Sequence, residues 1–298
     1  YGIPILVLGY TPLAHAREIV KYGIRATVFN EELAEAIAKE AMNQGLPGYI
    51  HIKMDTGMGR LGFHSNPEAL QIINRINGMP GLILEGIYTH FAAADWADKT
   101  YTYEQFNQFN DWLTRLGKCG IHIPIKHCSN SAGLIDLPET VDLDMVRAGI
   151  VLYGLYPSRE VDRESLPITP AMRLKSRIVA VRTVEPGHTV SYGRTYQCKE
   201  ATRVATVPIG YADGFNRRLS NKVWGMVRGQ KAPQIGTICM DQCMFDVTHI
   251  EEAQEGDEIL LFGRPEDGIT ADDVASILGT INYEVVCGVS SRVPRLYR

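Results

Sequence analysis

Long apolar runs are missing from this chain of 298 residues. No stretch approaches the roughly 18 residues of a membrane span, and no signal-peptide pattern opens it. Cysteine is scarce. Cys119, Cys128, Cys198, Cys239, Cys243 and Cys287 are the six present, too few for a disulfide scaffold, and they read as thiols of a cytoplasmic protein. Basic charge is not in excess either. Lys+Arg 30 against Asp+Glu 34 gives −4, which leaves no field asking for nucleic acid or an anionic membrane. The Gly-x-Ser-x-Gly elbow, the Walker loop and His-Glu-x-x-His are absent, and with them the commonest signs of serine hydrolases, P-loop enzymes and zinc proteases. An initiator Met is lacking too: the chain opens Tyr1-Gly2-Ile3-Pro4 straight into an apolar run, which reads as a fragment.

What is present fits a globular protein, with 45% hydrophobic and 21% charged residues. At about 150 residues per domain the length suggests two, although a (β/α)8 barrel alone can use about 250. Short apolar runs alternate with helical patterns in the first half. Strands are predicted at 5–9, 26–29, 49–55, 84–91, 125–129 and 145–153, with helices at 14–21, after Asn30, after Asn66-Pro67 and at 103–116. Leu33, Ile37 and Met42 form one apolar stripe, and Leu70, Ile73 and Ile76 another. This alternation argues for parallel βαβ units. Six such units are visible where a closed barrel needs eight, so the sheet is either open or lacks two units upstream of Tyr1. Past a stretch at 157–170 with three prolines and five charges, the pattern changes to strands at 173–181, 189–196, 203–209, 223–227, 235–247 and 258–262. Only 271–278 looks helical there. The expected class is α/β plus β: a barrel domain over 1–162 and a mainly-β domain over 163–298.

Gly57-Met58-Gly59-Arg60-Leu61-Gly62 matches the dinucleotide-binding pattern literally. That pattern must open a helix directly, and here Phe63-His64-Ser65 intervene. The glycines are instead expected to allow a tight turn that aims Arg60 inward. Glu85 sits about where a ribose-binding acid would, beside Gly86. Cys239 and Cys243 lack a second pair of ligands for zinc. His90 ends a strand, and polar residues at the carboxyl ends of parallel strands line active sites; as a lone histidine it is equally a satisfied core residue. Lys53 and Asp55 end another strand. Arg147, inside an apolar one, needs an anion or acceptor. Asn130-Ser131 and Ala148-Gly149-Ile150 offer a hydroxyl and backbone N–H groups where barrels hold phosphate. Tyr192 and Tyr211 stand beside glycines, and spacing alone makes neither catalytic.

Together these segments resemble the fold-type III, pyridoxal phosphate (PLP)-dependent alanine racemases. The matching blocks are Lys53-Met54-Asp55-Thr56-Gly57-Met58-Gly59-Arg60-Leu61-Gly62, Tyr88-Thr89-His90-Phe91, Cys128-Ser129-Asn130-Ser131, Arg147-Ala148-Gly149-Ile150 with Tyr153-Gly154, Val190-Ser191-Tyr192-Gly193, Gly210-Tyr211-Ala212-Asp213-Gly214 and Ile238-Cys239-Met240-Asp241-Gln242. They occur in the family's order along nearly the whole chain. The resemblance implies a PLP-binding (β/α)8 barrel, a β domain and a head-to-tail homodimer whose sites use both subunits. It makes Tyr192 a catalytic base supplied to the partner's barrel, with His90 and Arg147 behind it and Arg147 facing the pyridine nitrogen. A guanidinium keeps its proton, so the ring stays unprotonated and a weaker electron sink, which favours reprotonation over side reactions. Arg60 would contact the cofactor's phenolic oxygen and the substrate. Lys53 is the position often carbamylated. Ser131, Gly149 and Ile150 would hold the phosphate, Met240 the substrate carboxylate, and Tyr211 the entrance. No metal is implied.

Racemisation removes the Cα proton from one face and returns one on the other, so two opposed acid–base groups suffice. A tyrosine's reference pKa near 10 has to be lowered for such work, by cations or donated hydrogen bonds. The family's other base is a cofactor-binding lysine in a Lys-Ala-Asn-Ala-Tyr-Gly segment, which has no match in this sequence. Ser291 stands where many relatives carry a tyrosine. The expected function is interconversion of L- and D-alanine for peptidoglycan supply. The alternatives are a broader alanine/serine racemase, and a non-catalytic fragment should the lysine be truly absent.

Overall fold

Asparagine starts three of the helices that separate the early strands. The Oδ1 atoms of Asn30, Asn66 and Asn130 accept from the backbone N–H of Leu33, Ala69 and Gly133 at 3.1, 2.8 and 3.0 Å, each satisfying one donor that a helix leaves free at its first turn. Pro67 follows Asn66 at the first helical position, where its missing N–H costs nothing. The computed structural model describes residues 2–141 and 143–297. They form two units, Tyr1–Val151 with Tyr156–Pro167, and Leu152–Leu155 with Ile168–Arg298.

The first unit runs β1 (Leu6–Val7), α1 (Ala16–Lys21), β2 (Arg25–Val28), α2 (Glu31–Gln44), β3 (Gly48–Lys53), α3 (Pro67–Asn77), β4 (Leu82–Tyr88), α4 (Thr100–Lys118), β5 (Ile125–His127), α5 (Ser131–Asp136) and α6 (Pro138–Val141). The five strands pair in parallel in chain order, the wall pattern of a β/α barrel. Leu33, Ala34, Ile37, Ala38 and Ala41 of α2 are buried, as are Ala69, Ile73 and Ile76 of α3. Met42 points to solvent. It lies five residues after Ile37, off the stripe that Ala41 continues. Leu70 is likewise only half-buried.

The sixth expected strand, 145–153, is not one. Its segment touches the β5 end through Asp144 N–H to Lys126 O (3.1 Å) and Arg147 N–H to Ser129 O (3.0 Å), then coils into a 3₁₀ turn at Ile150–Tyr153. The Arg147 side chain explains why no ladder forms. Its Nη2 donates at 2.9 Å to Cys128 O, just past β5, a carbonyl that a sixth strand would otherwise claim, and at 2.8 Å to Thr89 O, just past β4.

The second unit holds β6 (Leu174–Arg177), β7 (Ala180–Val184), β8 (Thr189–Val190), β9 (Tyr196–Gln197), β10 (Thr202–Val207), β11 (Trp224–Val227), β12 (Gln230–Ile235), β13 (Cys243–Asp246), β14 (Glu258–Phe262), α7 (Ala271–Leu278) and α8 (Asn282–Gly288). An antiparallel sheet runs β6-β14-β11-β12-β13-β10-β7, and β8 with β9 forms a separate ribbon. Three expected strands are interrupted. The run 173–181 divides into β6 and β7, 189–196 is broken by a 3₁₀ turn at Tyr192–Arg194, and 235–247 opens into a loop between β12 and β13. The helix α8 escaped the sequence reading because it is seven residues long and carries two adjacent valines. No helix among the described residues is long and apolar enough to cross a membrane.

Candidate active site

At the carboxyl ends of β3, β4 and β5, Arg147 is the hub. Its Nη1 lies 2.6 Å from His127 Nδ1, and its Nη2 3.3 Å from His90 Nδ1 besides the two carbonyls. The acceptor expected for Arg147 is therefore found, in two imidazoles and two backbone oxygens. Burial lowers its pKa to about 10, so it remains a cation at neutral pH.

A guanidinium can only donate, and this fixes the protons along a buried row. His127 Nδ1 must accept, so His127 Nε2 carries the hydrogen and donates to His51 Nδ1, 3.0 Å away. His51 Nε2 then donates to Glu85 Oε2 at 3.2 Å. Arg25 Nε and Nη2 hold Glu85 with a fork of bonds of 2.9 to 3.2 Å. Both imidazoles are thereby neutral, in agreement with pKa values that burial pushes below the usual histidine value, that of His127 to about 2. His90 Nδ1, at 3.3 Å, shares an Nη2 hydrogen with the two nearer carbonyls; a ring nitrogen facing a guanidinium can only accept, which leaves Nε2–H as a donor. Burial, then the charges of Arg147, Lys53 and Arg60, hold His90 neutral with a pKa of about 4.

Two sequence features build the row. The pairing of β3 with β4 slips between Ile50 and His51, which face Leu84 and Gly86. Glu85 is the extra residue, and the bulge turns it toward His51. Gly86 then leaves space for the His51 ring, which any Cβ at that position would strike. Tyr88 stacks on His127 at 4.6 Å, with Lys53 Nζ and the Arg147 guanidinium carbon each 5.0 Å from its ring centre. Glu85 is thus a structural carboxylate, with no part in dinucleotide binding. The sequence reading did not single out His51, Tyr88 or His127, and it weighed Glu85 only as a ribose-binding acid. Their signal was alternation, since His51 and Lys53 fall on one face of β3.

Lys53 is buried and donates to Met54 O at 2.9 Å. Burial first, then Arg147, lowers its pKa to about 7; Asp55 opposes them, and Arg60 adds a last, smaller lowering. Asp55 Oδ1 accepts the N–H groups of Gly57, Met58 and Gly59 at 3.0, 2.9 and 3.1 Å. This organises the glycine turn, where Gly57, Gly59 and Gly62 have positive φ. Arg60 is exposed, yet its charge reaches Lys53, His90 and Tyr88. Ser131 Oγ accepts from Gly149 N–H at 2.9 Å, and a Cβ on Gly149 would press to 3.4 Å from that oxygen. Ile150 begins the 3₁₀ turn. Arg147 and Arg60, joined by Lys53 when it is protonated, stand beside one carboxylate already engaged by its own turn and make an electropositive cradle, which suits a phosphate-bearing anion.

In the second unit one loop gathers the remaining residues. Thr237 Oγ1 donates to Tyr192 O at 2.7 Å, Cys239 O accepts Tyr211 N–H at 3.1 Å, and Met240 O accepts Ala212 N–H at 3.0 Å. The side chains of Tyr192, Tyr211 and Met240 are exposed. Cys243 is buried and Cys239 half-buried. Among the described residues no cluster of His, Cys, Asp or Glu could hold a metal.

Comparison with known proteins shows the family of the chain. The family models "Alanine racemase, N-terminal domain" and "Alanine racemase, C-terminal domain" match residues 1–157 and 171–297. Alanine racemase from Clostridium perfringens is 48% identical over 297 residues, 99% of this chain and 76% of that protein. Alanine racemase 1 of Clostridium acetobutylicum is 46% identical over 99% of this chain and 76% of its own length. Among solved structures, alanine racemase from Clostridium difficile 630 superposes with a TM-score of 0.91 at 44% identity, covering 98% of this chain and 75% of that one. A Bacillus anthracis alanine racemase with bound L-Ala-P gives 0.89 at 36% identity, over 98% and 75%. The five parallel strands and the antiparallel sheet thus correspond to the barrel-like first domain and the carboxyl-terminal β domain of this fold, and the chain belongs to the alanine racemase family of PLP-dependent amino-acid racemases.

Proposed function

We propose that Tyr192 is one of the two acid–base groups of alanine racemisation in this protein, and that Arg147 is the hub of the surface that receives the cofactor. The enzyme would be a cytoplasmic homodimer in which Tyr192 serves the partner's barrel and the product D-alanine supplies peptidoglycan. The barrel domain over 1–162 would hold the cofactor and the β domain over 163–298 would supply Tyr192, Tyr211 and Met240. The observation that carries this reading is the fixed proton arrangement around Arg147.

The residues present fit pyridoxal phosphate by charge. Ser131, Gly149 and Ile150 would hold its phosphate, Arg147 its ring nitrogen and Arg60 its phenolic oxygen. When bound, the group delocalises the negative charge left at Cα after proton loss. Arg147 keeps its proton and holds His90 in the tautomer that donates from Nε2. A donor of that kind lowers the pKa of a tyrosine that accepts from it. Met240 would help orient the substrate carboxylate beside Arg60, and Tyr211 would line the entrance. A Lys53 amine with a pKa of about 7 is largely neutral above that pH and able to take up CO2, and the resulting carbamate would be an anion facing Arg60. In the full-length holoenzyme, Tyr192→Phe is expected to lower kcat by roughly 10²- to 10⁴-fold, the usual weight of a positioned acid–base group. A variant racemising at the native rate would refute the role.

One observation favours a broader alanine/serine racemase as the second reading. Ser290 N–H is held by Asp213 O at 3.0 Å, and Arg292 bonds Asp241 at 2.7 Å. Position 291 is thereby fixed between two residues anchored to the Tyr211 and Met240 loops, and its side chain is small. Ser291→Tyr is expected to reduce kcat/KM for serine relative to alanine by roughly 10-fold or more. Equal ratios in the two proteins would show that position 291 does not set the preference between them.

A further inference from the structure

Ser191, the residue before Tyr192, has φ 67° and ψ −174°. That is a backbone region populated essentially by glycine, and a side chain there costs about 1–3 kcal/mol. A turn needed only for connection would carry glycine, as positions 193 and 236 do. Here the serine side chain has a use. Its Oγ donates to Thr237 O at 2.5 Å and lies 3.4 Å from Cys239 Sγ. Thr237, buried, donates in return to Tyr192 O at 2.7 Å.

The clamp closes on the far side of Tyr192 as well. Asn221 Nδ2 donates to Thr195 Oγ1 at 3.0 Å, and Gly236 N–H donates to Asn221 Oδ1 at 2.6 Å. Gly236 is itself at φ +73°, where a Cβ would meet Val190 O at 2.6 Å. Beneath, Val190 and Ile235 are buried in one apolar cluster with Cys198 and Val204. The backbone of Tyr192 is thus held from before, beneath and after, while its ring stands exposed. Strain persists only where the surroundings over-determine a conformation, and it collects at sites that must be pre-organised.

We propose that Ser191, Thr237 and Asn221 are positioning residues that fix the direction in which Tyr192 is presented, and that Thr237 couples it to the loop carrying Met240. The proposal rests on the reading of Tyr192 as an acid–base group. Ser191→Gly relieves the strain and removes the hydroxyl; Thr237→Val keeps the shape and removes the donor. In the full-length holoenzyme each is expected to lower kcat roughly 10- to 100-fold, the scale of a small misplacement, with KM within about twofold. Melting temperature is expected to hold for Ser191→Gly, because relief of strain offsets the lost bond. In a Tyr192→Phe background both effects should vanish, the mark of residues acting through Tyr192. A 3-fluorotyrosine signal at position 192, assigned by its absence in Tyr192→Phe, should broaden or shift in Thr237→Val. Native kcat in both clamp variants, with Tyr192→Phe inactive, overturns the clamp alone. An active Tyr192→Phe overturns the tyrosine reading and the clamp with it.

Discussion

Lys53 carries the clearest consequence at the scale of single residues. Its folded pKa of about 7 lies below the ordinary 10.5, so between those values the unfolded chain binds the extra proton. Stability therefore rises with pH across that window, by at most about 1.4 kcal/mol per pH unit from this group. The cost of burying the ammonium is present in full below pH 7. Lys53→Met is expected to flatten this slope in urea unfolding in CO2-free buffer, and an unchanged slope would mean that Lys53 does not titrate there. With ¹³C-bicarbonate added, a carbamate resonance should appear in the native protein and not in the variant. Asn30, Asn66 and Arg147 were legible from sequence because each answers a local demand, a cap or an unpaired charge. His51, Glu85 and His127 were not, since they find one another only across three strands.

Among the elements, the parallel strands of the first unit were readable from their apolar runs, and the failures share a cause. The segment 145–153 has a strand's composition, but the Cys128 carbonyl beside it is taken by the Arg147 side chain. The segments 189–196 and 235–247 also read as continuous strands, and each opens at the place where Tyr192 or Met240 is presented. Periodicity records what a segment could pair with, and long-range hydrogen bonds decide what it does pair with. The bulge in β4 makes the same point. Gly86→Ala is expected to drive a Cβ into the His51 ring and destabilise the fold by about 1–3 kcal/mol, the usual cost of overpacking. Chemical denaturation measures it, and a neutral substitution would show that the ring can move aside.

In the molecule as a whole, the residues of the proposed site are divided between the two units. Arg147, His90 and the cation cradle lie in the first unit, and Tyr192, Tyr211 and Met240 in the second. Seven ordered motifs made the family readable from sequence, whereas the assignment of parts to one chain or its partner lies beyond any single sequence. The central claim is a racemase site assembled from Tyr192 of one subunit and Arg147 of the other. Co-expression of full-length Tyr192→Phe and Arg147→Ala chains, each inactive alone, tests it most directly. A mixed dimer then holds one site with both substitutions and one with neither. Purified mixed dimers are expected to racemise alanine at up to about half the native rate, by the symmetry of a two-fold dimer. Mixed dimers as inactive as either parent would contradict it.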